Sequence, residues 1–367
     1  MGKVSIVRTD KGITPALVRA LDLIGGLGAF VRPRDVIMLK PNINGTEGLT
    51  SLELVGSLIV LLKDMGAKKI FIAESTFGNE KMTDMFFAKS GYADLASRHG
   101  ISLMNLNRSQ VVEVPVKKPH IMKTLKIARE VFAADRIINI PVMKVHYAAG
   151  ITLALKNLKG LLVLGEKRHF HEAGLDKAIV DLNNTLRPDL NIVDATRCME
   201  RMGPRGGDPV DLDLIIAGAA SAEVDYVGSR IMEHTLDDVK HLKLFIKDNG
   251  IDLSRIETVG EAVDAVKYPF RKATLSATVP PGCTVHESDA CSSCMNALFL
   301  SFEIMGKDIP PKMHFFLGTR TGRIPADSGC RIAFGNCCHE KGRSYDVVVK
   351  GCPPYPFDLK EKLTQQL

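Results

Sequence analysis

Apolar and polar positions in the first half of the chain follow two alternating patterns. Short apolar runs at residues 4–7, 35–40 and 69–73 predict buried strands, and the segments between them have the spacing of amphipathic helices. Alternating strands and helices predict a parallel sheet with crossover helices, because parallel neighbours need a long connection. We therefore expect an α/β fold with a mostly parallel or mixed sheet.

This pattern continues to residue 259 and then changes. The cysteine-rich remainder has a helical run at residues 295–305 and short apolar runs at residues 314–317, 331–334 and 345–349. We predict two domains from this change. Residues 1–268 would form an α/β domain, and residues 269–367 would form a small cysteine-rich α/β domain.

The stretch from residue 141 to residue 171 concentrates positive charge within otherwise apolar sequence. It contains five Lys or Arg side chains and three His side chains, and its acid is Glu166. Buried ammonium groups are costly unless they are paired, so these groups must reach solvent or face an anion. Lys144 and His146 follow a predicted strand end, which is where open α/β sheets place their ligands. Residues 151–159 are predicted to form a short helix with Lys156 and Lys159 on one face.

These observations predict a site for an anionic small molecule, a carboxylate or a phosphate. His146 is the predicted proton donor, because an ordinary histidine titrates near neutral pH, and Asp194 or Glu74 would orient it. The predicted catalytic residues are His146, Lys144 and Lys156, and the predicted binding residues are Lys40, Asn42, Asn44, Lys159 and His171. A simpler interpretation stays open, in which lysines near a helix C-terminus favour the helix dipole and need no ligand.

Seven of the eight cysteines lie in the last quarter of the chain. In a chain without a secretion signal, this clustering indicates metal or redox chemistry in preference to disulfides. Cys291 and Cys294 are spaced as a Cys-x-x-Cys pair at a predicted helix start, and Cys337 and Cys352 follow predicted strands. These four thiolates are the predicted ligands of a [4Fe–4S] cluster or, alternatively, of a structural zinc ion. A thiol or disulfide role ranks behind both. Cys338 competes with Cys337 as a ligand, and Cys283 and Cys330 are spare cysteines. Cys198 is predicted to be a thiol in the hydrophobic core.

Composition excludes several function classes. The net charge of +6 is mild and locally concentrated, and no recognisable nucleic-acid-binding module accompanies it. The longest apolar runs are much shorter than a membrane span. The N-terminal residues contain no apolar signal-peptide core, so the expected location is the cytoplasm.

Several motifs in the first domain resemble the domain-of-unknown-function family 362. They include Lys40-Pro-Asn-Ile-Asn44, Pro141-Val-Met-Lys-Val-His146 and Thr152-Leu-Ala-Leu-Lys-Asn-Leu-Lys-Gly160, and the resemblance covers residues 35–260. Members of this family often carry iron–sulfur modules. The resemblance therefore implies an α/β domain coupled to redox chemistry in an anaerobic or microaerobic cell.

Two functional hypotheses follow from the sequence. In the first, the protein is an iron–sulfur oxidoreductase that acts on an anionic small molecule and exchanges electrons with a partner protein. In the second, it is a non-redox anion-binding module, or a lyase or isomerase, and the metal is a structural zinc ion. The sequence leaves oligomerisation open.

Overall fold

A computed structural model describes residues 2–76, 79–201, 203–204, 207–272, 279–288, 290, 292–319, 329–338 and 344–366. Its strands are β1 (Lys3–Arg8), β2 (Val36–Pro41), β3 (Lys69–Glu74), β4 (Ser102–Asn105), β5 (Val111–Pro115), β6 (Thr124–Ala128), β7 (Arg136–Ile140), β8 (Val142–His146), β9 (Gly150–Thr152), β10 (Leu190–Glu200), β11 (Asp208–Gly218), β12 (Glu257–Gly260), β13 (Thr284–Ser288), β14 (Met313–Gly318), β15 (Cys330–Phe334) and β16 (Val347–Val349). Its α-helices are α1 (Ile13–Leu23), α2 (Leu52–Asp64), α3 (Glu80–Lys89), α4 (Tyr92–His99), α5 (Ala154–Asn157), α6 (Leu164–Ala173), α7 (Leu175–Thr185), α8 (Ser221–Ile231), α9 (Lys240–Asn249), α10 (Val263–Val266), α11 (Ser292–Met305) and α12 (Asp358–Gln366).

A mixed sheet of ten strands forms the centre of the described structure. Eight of its strands follow one another in the order β12-β1-β11-β10-β7-β2-β3-β4. Strand β8 lies outside this order and pairs with both β10 and β9. The run β10-β7-β2-β3-β4 is parallel throughout, whereas β11 is antiparallel to both β1 and β10. This arrangement confirms the predicted α/β class. Strands β5 and β6 form a separate antiparallel pair.

Both faces of the large sheet are covered. One face packs against α1, α2 and α4 through buried side chains that include Leu17, Leu58 and Tyr92. The other face belongs to a second hydrophobic core, which contains Ile179 of α7 and extends to Phe315 of β14. Strands buried on both faces are typical of parallel sheets with crossover helices.

The cysteine-rich region contains its own parallel sheet, in the order β13-β14-β15-β16. The predicted domain boundary at residues 268/269 lies between β12 and β13, and the division into two domains stays a prediction. Strand β13 was not predicted from the sequence. Its residues, Thr-Val-His-Glu-Ser, are exposed or half-buried, as expected of an edge strand with little apolar signal.

The single helix predicted at residues 151–159 is wrong. The chain instead forms β9, the single turn α5 and a 3-10 turn at Leu158–Leu161. The Asp225 carboxylate accepts hydrogen bonds from the backbone N–H groups of Ala154 (2.6 Å) and Leu155 (3.0 Å), and therefore fixes the start of α5. A helix start set by a residue 71 positions away cannot be predicted from local spacing. Helix α6 was also missed.

Candidate functional site

The ends of the parallel strands support a network of buried polar side chains. Lys40, at the end of β2, donates to the Glu74 carboxylate at the end of β3 over 2.7 Å, and its ammonium group is fully buried. A Cβ atom at Gly160 would lie 1.9 Å from Glu74 Oε1, so the 3-10 turn packs directly on this ion pair and requires glycine there. The turn is therefore in contact with the strand ends.

Lys144 of β8 connects the loop after β2 to the same network. Its ammonium group donates to Asn42 Oδ1 over 2.8 Å and to the Gly48 carbonyl over 3.0 Å. The Asn42 side-chain amide in turn donates to Asn157 Oδ1 of α5 over 2.7 Å. The structure thus brings the loop after β2 into contact with β8 and α5.

Above this network lies a cavity of about 300 Å³. Its basic side chains are Lys156, Lys159, Lys167, His146 and His171. Its other polar side chains are Asn42, Asn44, Glu74, Ser75 and Asn157, and Gly160 also lines it. Its apolar and aromatic lining is Tyr147, Pro204, Leu300, Ile304, Tyr355, Pro356 and Phe357. Its volume lies at the lower end of the range for small-molecule sites.

The cavity sorts the predicted site residues into two groups. The residues that line it are Asn42, Asn44, His146, Lys156, Lys159 and His171, and their roles in binding and catalysis stay predictions. Lys40 and Lys144 lie behind the lining, where the contacts described above hold their ammonium groups. They position the cavity wall, and their predicted roles in binding and catalysis remain predictions.

Burial strongly perturbs the cavity lysines. Burial, with a smaller contribution from the positive charge of Lys144, lowers the pKa of Lys156 to about 7. Burial also lowers the pKa of Lys167 to about 7, although the Glu74 carboxylate opposes this change. The pKa of Lys159 lies well below its ordinary value because of burial and the nearby charges of Lys156 and Lys167. With pKa values of about 7, Lys156 and Lys167 exchange protons near neutral pH.

His146 has a fixed tautomer. Its Nδ1 atom accepts from the backbone N–H groups of Ala148 (3.1 Å) and Ala149 (3.3 Å), so the neutral ring carries its proton on Nε2. Burial, followed by the charge of Lys156, places the pKa of His146 well below 6.5. The ordinary titration that motivated its predicted role as proton donor does not apply in this environment.

The two acids expected to orient His146 have other partners, so that expectation is wrong. Asp194 accepts from the Ser51 backbone N–H over 2.6 Å and from the Thr196 hydroxyl over 2.6 Å. Glu74 accepts from Lys40 and from the Ile43 backbone N–H. The orientation of the His146 ring comes instead from the backbone at Ala148 and Ala149.

Lys159 and His171 form a second basic unit. Lys159 Nζ lies 2.9 Å from His171 Nε2 and 5.8 Å from the centre of the Phe170 ring. Burial, and then the charges of Lys159 and Lys156, hold the pKa of His171 well below its ordinary value. Lys167 and His171 are four residues apart on α6, so both point from one helix face into the cavity.

The charges around the cavity are unbalanced. Among its described lining residues, Glu74 is the sole acid, and it already accepts from Lys40. Lys156 Nζ contacts the Thr152 hydroxyl at 3.1 Å, and Lys167 Nζ donates to the backbone carbonyls of Ser75 and Thr76. Neutral oxygen atoms orient these ammonium groups without neutralising them, which leaves a site suited to an anion.

The predicted metal ligands divide differently. Cys291 lies outside the described residues. Cys294 is buried, with its Sγ atom 3.4 Å from the position of a Cβ atom at Gly335, and the buried Cys338 has its Sγ atom 3.1 Å from the Gly335 carbonyl oxygen. Cys337 is exposed. Within the described part of the chain, no three His, Cys, Asp or Glu side chains are grouped closely enough to hold a metal ion.

Cys352 connects the cysteine-rich region to the cavity. Its backbone N–H donates to the His171 carbonyl over 2.6 Å, and its carbonyl accepts from the Leu175 N–H over 3.2 Å. The turn that follows carries Tyr355 and Phe357 into the cavity wall. Sequence reasoning missed these two residues because nothing in their local pattern separates a cavity lining from a hydrophobic core.

The chain is similar to several known proteins. A thylakoid-associated protein of Synechocystis sp. is 28% identical over 245 residues, which are 63% of this chain and 74% of that protein. A crystal structure of a Thermotoga maritima protein covers 83% of this chain and 70% of its own, with 12% identity and a TM-score of 0.38. The structure of the lactate racemase apoprotein of Thermoanaerobacterium thermosaccharolyticum matches 86% of this chain and 69% of its own chain, with 13% identity and a TM-score of 0.42.

Two further findings concern the whole chain. None of the helices described by the structure is long and apolar enough to cross a membrane. The model of a family described as "Domain of unknown function (DUF362)" matches residues 37–230, which are more than half of the chain and include Lys40, Lys144, His146 and the whole basic stretch. The chain therefore belongs to the DUF362 family.

Proposed function

We propose that this protein is an enzyme that binds an anionic small molecule in its basic cavity. The observation that supports this proposal best is the burial of Lys156, Lys159 and Lys167 around one cavity whose sole described acid, Glu74, is already paired with Lys40. Burying ammonium groups is unfavourable, and the lowered pKa values of these three lysines record this cost. A bound carboxylate or phosphate would restore the charged lysines.

Lys156 is the residue best suited to proton transfer in this site. Its pKa of about 7 makes both its protonated and its neutral form available near neutral pH. His146, held neutral with its proton on Nε2, would donate a hydrogen bond to the substrate. This assignment transfers the proposed acid–base role from His146 to Lys156.

The cysteine-rich region fits a metal centre by its chemistry. Cys294 and Cys338 both border Gly335, and the backbone of Gly351 also approaches that glycine. We propose Cys291, Cys294 and Cys352 as ligands, with Cys338 in preference to Cys337. A [4Fe–4S] cluster bound there would supply one-electron transfer, which would make the enzyme an oxidoreductase with a partner protein for electron exchange. Four-cysteine zinc is the alternative, and the cytoplasm is the proposed location.

Binding of sulfate, whose charge is constant near neutral pH, tests the anion site. Calorimetric titration at about pH 6.5 should give binding to the unaltered protein and at least a tenfold weaker affinity in Lys156→Gln, because each charged contact contributes about 1.5–3 kcal/mol. Lys247→Gln, on the exposed face of α9, is the control and should bind as the unaltered protein does. Equal affinity in all three proteins would contradict the proposed site.

Anaerobic purification tests the metal centre without an activity assay. Broad visible absorbance that bleaches on reduction, with equal iron and sulfide, supports the cluster. Cys338→Ser should then lose iron, while Cys337→Ser should retain it. A colourless protein that contains zinc would instead support the non-redox alternative, and iron loss in Cys337→Ser alone would favour the exposed cysteine as ligand.

A further inference from the structure

The cavity has two chemically different halves, and they come from different parts of the chain. Its five lysines and histidines lie between residues 146 and 171. Five lining residues, Leu300, Ile304, Tyr355, Pro356 and Phe357, come from the cysteine-rich region, and none of them carries a charge. A ligand that fills the cavity therefore contacts both positively charged side chains and uncharged, mostly apolar ones.

The apolar half remains accessible in the described structure. Leu300 and Ile304 lie one turn apart on the same face of α11, and both are only half-buried. Phe357 is 44% exposed. Side chains of this kind that line a cavity gain free energy when an apolar group covers them.

Hydrogen bonds to backbone carbonyls of α6 hold the cysteine-rich region against the basic half of the cavity. Besides the contacts of Cys352 with His171 and Leu175, the Asn336 side-chain amide donates to the Glu172 carbonyl at the end of α6 over 2.5 Å. Helix α6 itself carries Lys167 and His171. The two halves are therefore held at a defined separation, which is a requirement for selecting a ligand by its shape.

A row of rings leads from the basic end to the rim of the cavity. The rings of His171 and Tyr355 have their centres 6.1 Å apart, and those of Tyr355 and Phe357 are 5.2 Å apart. Both separations lie within the range of aromatic pairs, which prefer offset or edge contacts. A planar apolar group next to the anionic head of a ligand would extend along this row.

We propose, building on the anion site proposed above, that the ligand is an amphipathic anion, with one carboxylate or phosphate head on a compact aromatic or branched apolar body. The head contacts Lys156 and the Lys159–His171 unit, and the body lies against Ile304, Tyr355 and Phe357. Small inorganic anions would leave this wall in contact with water. Polyanions such as nucleoside triphosphates would place additional charge against it, which is unfavourable.

Two matched pairs of probes test this proposal. Acetate and phenylacetate share a carboxylate head, and inorganic phosphate and phenyl phosphate share a phosphate head. Burial of one phenyl group should make each aromatic probe bind about 10- to 100-fold more tightly than its small partner. Calorimetric titration measures the aromatic probes, and competition measures the weak ones. Whichever pair binds more tightly identifies the head group.

Variants then locate the aromatic body. Phe357→Ser and Ile304→Ser should weaken the aromatic probes about tenfold and leave acetate and phosphate unchanged, whereas Lys156→Gln should weaken all four. Phe132→Ser is the matched control, since Phe132 is 48% exposed and lies outside the cavity lining.

Each outcome has a distinct meaning. Equal affinities within each pair, with Lys156 still required, would overturn the amphipathic ligand and leave the anion site standing. A phenyl preference that is unaffected by Phe357→Ser and Ile304→Ser would place the aromatic body elsewhere and also overturn the proposal. Failure of all four probes to bind in a Lys156-dependent manner would refute the anion site itself.

Discussion

The affinity of the cavity for an anion should fall steeply as the pH rises from about 7 to about 9. The cause is Lys156, whose buried ammonium group has a pKa of about 7 where an ordinary lysine has 10.5. At a pH where Lys156 is mostly neutral, binding of an anion that contacts the charged lysine requires Lys156 to take up a proton. Affinity and protonation are therefore linked.

The size of the effect follows from this pKa. Lys156 is about half protonated at pH 7 and about one-hundredth protonated at pH 9, so sulfate affinity should fall about 50-fold, or about 2 kcal/mol. A lysine with its ordinary pKa of 10.5 would stay almost fully charged over this interval and would cause hardly any change. Lys167, with the same lowered pKa, can only increase the loss.

Calorimetric titration with sulfate, repeated in buffers of different ionisation enthalpy, measures both the affinity and the protons taken up. We expect about one proton per sulfate at about pH 8 and a shallower pH dependence in Lys156→Gln. Constant affinity between pH 7 and pH 9 without proton uptake would refute this reasoning, because it would mean that the charge of Lys156 does not contribute to binding.

Three further predictions concern the protein without ligand, and unfolding experiments measure each of them. The free energy of unfolding should rise between about pH 7 and pH 9, because the unfolded chain binds protons at lysines that the folded chain holds neutral. Lys156→Met should flatten this rise, and an unchanged slope in that variant would contradict the prediction. Glu74→Gln should cost about 3–5 kcal/mol by leaving Lys40 buried and unpaired, whereas Glu113→Gln, which removes an exposed ion pair with Lys126, should cost less than about 1 kcal/mol. Gly160→Ala should destabilise by displacing the Lys40–Glu74 pair, whereas Gly165→Ala, at an open position in α6, should be neutral or slightly stabilising; equal effects would contradict the close packing at Gly160.

The basic residues of the site could be predicted from the sequence, but the direction of each side chain could not. Lys144 and His146 both belong to β8, yet Lys144 contacts the loop at Asn42 and His146 lines the cavity. The order of strands and helices predicted that both would lie at the ligand-binding edge of the sheet. Which lysine supports the wall and which one faces the ligand depends on contacts from residues about 100 positions away in the chain.

The apolar half of the cavity could not be predicted for a different reason. Leu300 and Ile304 have the spacing of a core-facing helix, and that spacing is the same whether the partner is protein or ligand. Their role depends on how the cysteine-rich region packs against the α/β domain, where the Cys352 backbone and the Asn336 side chain are hydrogen-bonded to α6. The sequence predicts the cysteines as metal ligands, whereas Cys352 contributes to the cavity through hydrogen bonds of its main chain.

The burial of so many basic groups is itself an argument for function. Replacement of a buried charged network by apolar side chains of similar volume is often neutral or stabilising, so stability alone gives no reason to keep Lys156, Lys159 and Lys167 in the interior. Lys40 lies behind the cavity lining, where it is paired with the Glu74 carboxylate and Gly160 packs against the pair. Lys156, Lys159 and Lys167 instead line the cavity, and burial displaces their pKa values downward. Positions where a sequence keeps residues that lower stability are typically those that bind or transform a ligand. A bound anion would offset the free-energy cost of burying these three lysines.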